Sequence, residues 1–355
     1  MLKLSHILPP GDPSTDKPEP HTPTEETCPR AIIGAVPAGS ALHLAIAYQL
    51  QDRLQHQLDA QGEFGVDDLT IPECATSAPT HAENGGRSTL ILASPRSRWH
   101  ESLMEENDVW LRDHGGRLDV ADALRKVEVR YCSESKDARV LNALLHVAEI
   151  PESNDASCLR EIPGLIIAWD LFGLFVADET VQASTEEDHG ETAEGKDISL
   201  IESETVIQEY LSLLASLRQA CEQISIQSES ATPTLIILEP HLSSCTEIRI
   251  AQPMTSLTIR PVDRKNQRYM KILRGLEWIL APGYADHEKR RTVLEITKTD
   301  EEDDDIEGRS SPNYERYTIS SGAQCIAAFE RREEDRASGR PWLDKVASHY
   351  EWIRP

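Results

Sequence analysis

The sequence predicts an α/β protein: a parallel sheet with helices on both faces and antiparallel strands at its C-terminal edge. Three observations predict it. Short, continuous apolar runs at 30–36, 88–94, 164–169 and 233–238 read as buried strands. Segments of helical periodicity separate them, and strands without alternation belong to a sheet covered on both sides. Toward the C-terminus the pattern changes to strands in close succession, which pair antiparallel.

Taken in order, Arg30–Val36 is the first strand and ends in a Gly/Pro turn. A helix follows, with Leu42, Ala45, Ile46, Gln49, Leu50 and Leu54 at helical spacing. After the 88–94 strand, 99–113 reads as one helix stopped by Gly115 and Gly116. Val127–Cys132 alternates as a strand. In the helix 136–149, Val140, Leu141, Leu144, Leu145 and Ala148 share one face. Residues 204–224 form a long amphipathic helix. Residues 265–274 read as helix, and 276–280, 292–297, 314–320 and 324–329 as strands.

Composition sets the domain organisation. Residues 1–30 and stretches near 62–87, 178–203 and 299–313 are rich in Pro, Ser, Thr, Asp and Glu, and read as a disordered arm and disordered insertions. Residues 31–330 form the folded domain, of about 200–250 ordered residues. Residues 331–355 read as a C-terminal helical segment, in which Trp342, Tyr350 and Trp352 either pack on the domain or anchor a partner.

The net charge of −25 repels free polyanions and argues against broad DNA binding. One basic stretch remains: Arg260, Arg264, Lys265, Arg268, Lys271 and Arg274. On a helix Arg264, Arg268 and Lys271 share a face, suited to phosphates or to an acidic partner, or simply to solvent. The seven cysteines are scattered, with no zinc spacing, and read as free thiols of a reducing compartment. No apolar run reaches membrane-spanning length and no secretory signal is evident, so nucleus or cytoplasm is expected. No metal site, nucleophile–base pair or catalytic histidine stands out, and His43 reads as a packing residue.

The turn after the first strand carries the main motif. Gly34 and Gly39 have the spacing and the strand–loop–helix setting of a phosphate-binding GxxxxGK[ST] loop. Ser40 stands where the lysine belongs, and Ala41 where the magnesium-binding hydroxyl belongs. The backbone cradle can survive without its cation, but amides alone hold anions weakly, so a plain tight turn is the preferred reading. Asp170, at the end of the 164–169 strand, either holds magnesium or caps the strand end.

These residues and the order of elements resemble the RecA/recombinase core, and more narrowly its diverged eukaryotic paralogues. The segment Leu165–Asp170 is similar to the Walker B strand. The strand 88–94 resembles the one that ends in the catalytic glutamate, whose position here falls at about Pro95. The first strand and the Asp170 strand are accordingly expected as neighbours in one parallel sheet. The resemblance implies a RecA-like, P-loop-type fold without working ATPase chemistry, and no cofactor, ATP with magnesium being disfavoured. It is closest to the SWIM-domain-associated subunit of Shu-type complexes. That implies a non-catalytic scaffold in a hetero-oligomer with a RecA-like paralogue or a SWIM-domain protein, assisting recombinase filaments in DNA repair. Two alternatives stay open: an ATPase-dead subunit of the Elongator accessory ring, or a weak DNA-dependent ATPase whose lysine has moved to Lys126, Lys136 or Arg96.

Overall fold

The computed structural model describes residues 2–8, 30–62, 87–146, 159, 161–176, 198–228, 232–242, 261–281, 292–299, 314–321, 324–334 and 347–353. The expected insertions and most of the expected N-terminal arm lie outside these residues. The strands are β1 Ala31–Gly34, β2 Ser88–Ala93, β3 Val127–Tyr131, β4 Pro163–Trp169, β5 Thr234–Glu239, β6 Val293–Thr299, β7 Tyr314–Ser321, β8 Gln324–Glu334 and β9 Ala347–Ile353. The helices are α1 Ser40–Gly62, α2 Arg96–Glu106, α3 Val109–His114, α4 Leu118–Arg125, α5 Ser135–His146, α6 Ile198–Ser228 and α7 Pro261–Leu280.

All nine strands join in one sheet of order β3-β2-β4-β5-β1-β6-β7-β8-β9. The pairs from β3 to β6 are parallel, and β7, β8 and β9 are added antiparallel. The apolar strands are buried on both faces because each inward alternation finds a helix layer. Leu165, Ile167 and Trp169 of β4 pack toward α1 and Trp99 of α2. Ile166 and Ala168, pointing the other way, meet α5, α6 and α7. The chain moves from β1 to β2 to β3 on the α1 face, and from β3 through β4 and β5 to β6 on the α6 face. Direction and face reverse together, so these crossovers share one hand. Neighbouring β1 and β5 therefore send their chains to opposite faces, which opens a crevice at their carboxyl ends.

Several expectations are corrected. β1 and β4 share one parallel sheet but are not neighbours, because β5 lies between them. The helix expected over 99–113 is two, broken where Asn107 takes a left-handed conformation at φ 41°. The short apolar run 276–280 is the last turn of α7, not a strand. The apolar face assigned to 136–149 is rotated: Ala138, Asn142 and Leu145 are buried, whereas Val140 is 58% and Leu144 46% exposed. Within the expected N-terminal arm, Leu4 and Ile7 form a 3-10 turn buried in the α1-side core with Leu8. The C-terminal segment is not helical where it is described. β8 runs on to Glu334, and β9 buries Tyr350 and Trp352 around Phe329 while His349 stays exposed. Trp342 lies outside the described residues.

Candidate functional site

The loop after β1 is built from local hydrogen bonds. Gly34 turns the chain at φ +93°, with Ile296 of β6 pressed against it. Ala35 N–H donates to the Ile296 carbonyl at 2.9 Å, Val36 N–H to the Gly34 carbonyl at 2.6 Å and Ser40 N–H to the Pro37 carbonyl at 3.0 Å. Pro37 has no N–H to offer. A phosphate cradle needs such amides converging on open space, and here they are spent on carbonyls of the loop and of β6. From Val36 to Ala41 the loop is buried, the Ser40 side chain fully so.

One loop amide does face an anion, and that anion belongs to the protein. Gly39 N–H donates to Oε2 of Glu106 at 2.6 Å. Glu106 ends α2; the left-handed Asn107 then turns the chain so that Asp108 caps α3, accepting from Leu111 N–H at 3.1 Å. The other Asp108 oxygen, Oδ2, lies 2.7 Å from Nε2 of His43 on α1. Two carboxylates thus sit over the N-terminal end of α1, where the helix dipole favours negative charge. β9 completes the cluster: the Tyr350 hydroxyl donates to Oε1 of Glu106, and the backbone at Asp108 forms a short parallel bridge with the backbone at Ser348. Burial pushes the Glu106 carboxyl above the usual carboxylate range, partly offset by these hydrogen bonds. Replacing Tyr350 with phenylalanine removes one of them from a buried acid. The expected loss is about 1–3 kcal/mol, read as a lower urea midpoint; an unchanged midpoint would remove β9 from this role.

A second acidic cluster lies at the ends of β4 and β5. Asp170 is fully buried with a left-handed backbone at φ 55°. The Arg98 guanidinium pairs with its Oδ2 at 3.0 Å, and the Ser94 hydroxyl lies near the same carboxyl. Burial raises its pKa to about 6, with Arg98 opposing the shift. Beside it, Glu239 accepts from the Tyr210 hydroxyl at 2.7 Å and from Phe172 N–H at 3.2 Å. Burial first, and then the Asp170 charge, push Glu239 up to about 8. At the end of β2, Pro95 opens α2 and brings no carboxylate. No group of three or more His, Cys, Asp or Glu among the described residues is arranged to hold a metal ion.

The relocated cations do not converge on the loop. Lys126 precedes β3, at the amino ends of the parallel strands and so at the opposite end of the sheet from Gly39. Lys136 follows β3, which stands four strand positions from β1, roughly 19 Å at the usual strand spacing. Arg96 is exposed at the carboxyl end of β2, with β4 and β5 between it and β1. In the basic stretch, Lys271 is exposed and pairs with Glu204 at 2.8 Å, and Arg274 is exposed. Arg264, Lys265 and Arg268 lie on the α7 backbone with side chains outside the described residues, as is all of Arg260.

The structure therefore brings Gly34, Gly39, Ser40 and Ala41 to one crevice and Asp170 to its neighbour two strands away. It adds Arg98, Glu106, Asp108, Tyr210, Glu239 and Tyr350, which motif spacing does not reveal. In the sequence Glu106 falls inside the single helix expected over 99–113, so nothing marked it before the break at Asn107 was seen. The chain matches no protein-family model, and no curated protein is significantly similar to it. No helix among the described residues is long and apolar enough to cross a membrane.

Proposed function

We propose that this chain is a non-catalytic RecA-like scaffold subunit, which assists recombinase filament assembly in DNA repair as part of a hetero-oligomer. The observation that carries the non-catalytic part is the Glu106 carboxylate on Gly39 N–H, within a loop whose other hydrogen-bonded amides are turned inward. A nucleoside triphosphate with magnesium does not fit this loop. The lysine is missing, Ala41 has no hydroxyl, the surroundings are buried, and the nearest negative charge would repel a phosphate. Beside Asp170 stand the Arg98 guanidinium and Glu239, and Glu239 is already occupied by the Tyr210 hydroxyl and Phe172 N–H.

What supports the RecA-like part is the arrangement at the carboxyl edge. The glycine loop and Asp170 leave parallel strands of one sheet on the same side, although β5 separates strands the resemblance implied as neighbours, and antiparallel strands follow after β6. The partners, a RecA-like paralogue or a SWIM-domain protein, come from the resemblance alone.

Thermal unfolding tests the reading. A site whose Kd is one-hundredth of the nucleotide concentration would stabilise the fold by about 2.7 kcal/mol. We expect millimolar ATP with magnesium to leave the Tm where magnesium alone leaves it. A rise of several degrees would overturn the non-catalytic reading. Affinity purification from cells tests the pathway: recombination proteins support it, and Elongator subunits would replace it.

A further inference from the structure

β3 closes one end of the sheet, and its outer edge has no strand beyond it among the described residues. Thr89 N–H donates to the Lys126 carbonyl and Cys132 N–H to the Ala93 carbonyl. With a period of two, the even-numbered residues of β3 face β2, and Val127, Val129 and Tyr131 direct their N–H and C=O groups outward. The segment is five residues, Val-Glu-Val-Arg-Tyr, without proline.

Its sequence is complementary to its own reverse. Two copies paired antiparallel about Val129 place Val129 opposite Val129, Val127 opposite Tyr131, and Glu128 opposite Arg130. The parity agrees with the backbone. Val129, the centre, is a residue whose polar groups point outward, so it forms a hydrogen-bonded pair with its mate. Glu128 and Arg130 then fall in the non-hydrogen-bonded pairs, where side chains come closest. Within one chain these two side chains already form an ion pair on the α5 face of the sheet. Pairing would extend it into an alternating cluster across the two-fold axis. An edge defended against association carries charges of one sign, a proline or a bulge; this edge carries opposite charges one step either side of its centre.

The helix above the edge fits the same partner. At 100° per residue, Arg139, Ala143 and His146 of α5 face α6, where they line a groove. Leu141 and Leu144 are on the flank turned away from α6, toward the β3 edge, with Val140 beside them. Val140 and Leu144 are 58% and 46% exposed, an apolar strip with no intrachain reason to be at the surface.

We propose that the chain forms a two-fold homodimer by antiparallel pairing of β3, making one continuous sheet with the α5 helices meeting across the axis. The proposal stands on this edge alone and is independent of the nucleotide-free reading.

Charge exchange on the full-length chain tests it by sedimentation velocity. Wild type is expected to be a dimer at micromolar concentration. E128R and R130E each set like charges opposite one another at both symmetry-related contacts, so each should weaken self-association roughly tenfold or more. Mixing the two variants restores opposite charges at both contacts, and a heterodimer should form. The E128R/R130E double variant, again complementary to its reverse, should dimerise as wild type does. A variant that had merely misfolded would not recover on mixing, and circular dichroism checks the fold separately. A monomeric wild type overturns the proposal. So does a dimer that both single variants leave intact, or a native-like pair that stays monomeric when mixed.

Discussion

Gly34→Ala is expected to destabilise the chain by about 3 kcal/mol or more, even with no ligand present. Two costs add at this position. The backbone sits at φ +93°, which L side chains rarely adopt. A Cβ there would stand 2.2 Å from the Ile296 carbonyl oxygen, and the obstacle is backbone rather than a side chain that can swing away. Relief requires β6 to move off β1, which would also break the Ala35 N–H bond to that same carbonyl. Gly39→Ala is the control. Its Cβ would lie 2.9 Å from Oδ2 of Asp108, a side-chain atom, so the smaller loss should come from displacing the carboxylates. Urea denaturation of both variants measures the contrast. A phosphate-gripping role for Gly34 predicts little change in the unliganded protein, and a loss below about 1 kcal/mol would return that role to consideration.

This result bears on how the glycine spacing is understood. Gly34 and Gly39 were legible as a strand-to-helix turn, and the preference for a plain turn over a phosphate grip rested on the missing lysine. The structure adds a positive reason for Gly34, the close approach of β6, which no local motif contains because Ile296 is supplied from the far end of the domain. Glu106 was equally hidden, since it reaches Gly39 only through the left-handed break at Asn107.

The core strands were readable because burial on both faces leaves a continuous apolar run. Residues 276–280 misled for the same reason: a short apolar run has no period, and only its continuity with the preceding helix makes it the end of α7. The last segment misled through competing periods. Leu343, Val346, Tyr350 and Ile353 suit a helix, whereas Tyr350 and Trp352 alternate with His349 and Glu351 as a strand. The strand prevails because Phe329 and Tyr317 of the neighbouring strands offer aromatic surface to cover.

The buried pair at the ends of β4 and β5 should make the stability of the fold fall as pH rises from about 4 to about 8. Glu239 has its folded-state pKa raised from the ordinary 4.5 to about 8, and Asp170 from 3.8 to about 6. Between the two values of each group the folded chain binds more protons than the unfolded one. The stabilising contribution is therefore complete below the ordinary value and is lost as pH rises through the raised one. For Glu239 the slope approaches about −1 kcal/mol per pH unit across that window. Glu239→Gln keeps an oxygen to accept from Tyr210 and removes the ionisation. Its stability should change less between pH 6 and pH 8 than that of wild type, and above pH 8 the variant should be the more stable of the two. Urea titrations of both proteins across that range provide the test, with Tyr210→Phe as a second probe of the same bond. Parallel pH profiles for wild type and Glu239→Gln would mean that Glu239 ionises freely, and that water or a counter-charge reaches the crevice beside Asp170. That outcome would reopen the crevice as a place where a charged ligand can sit.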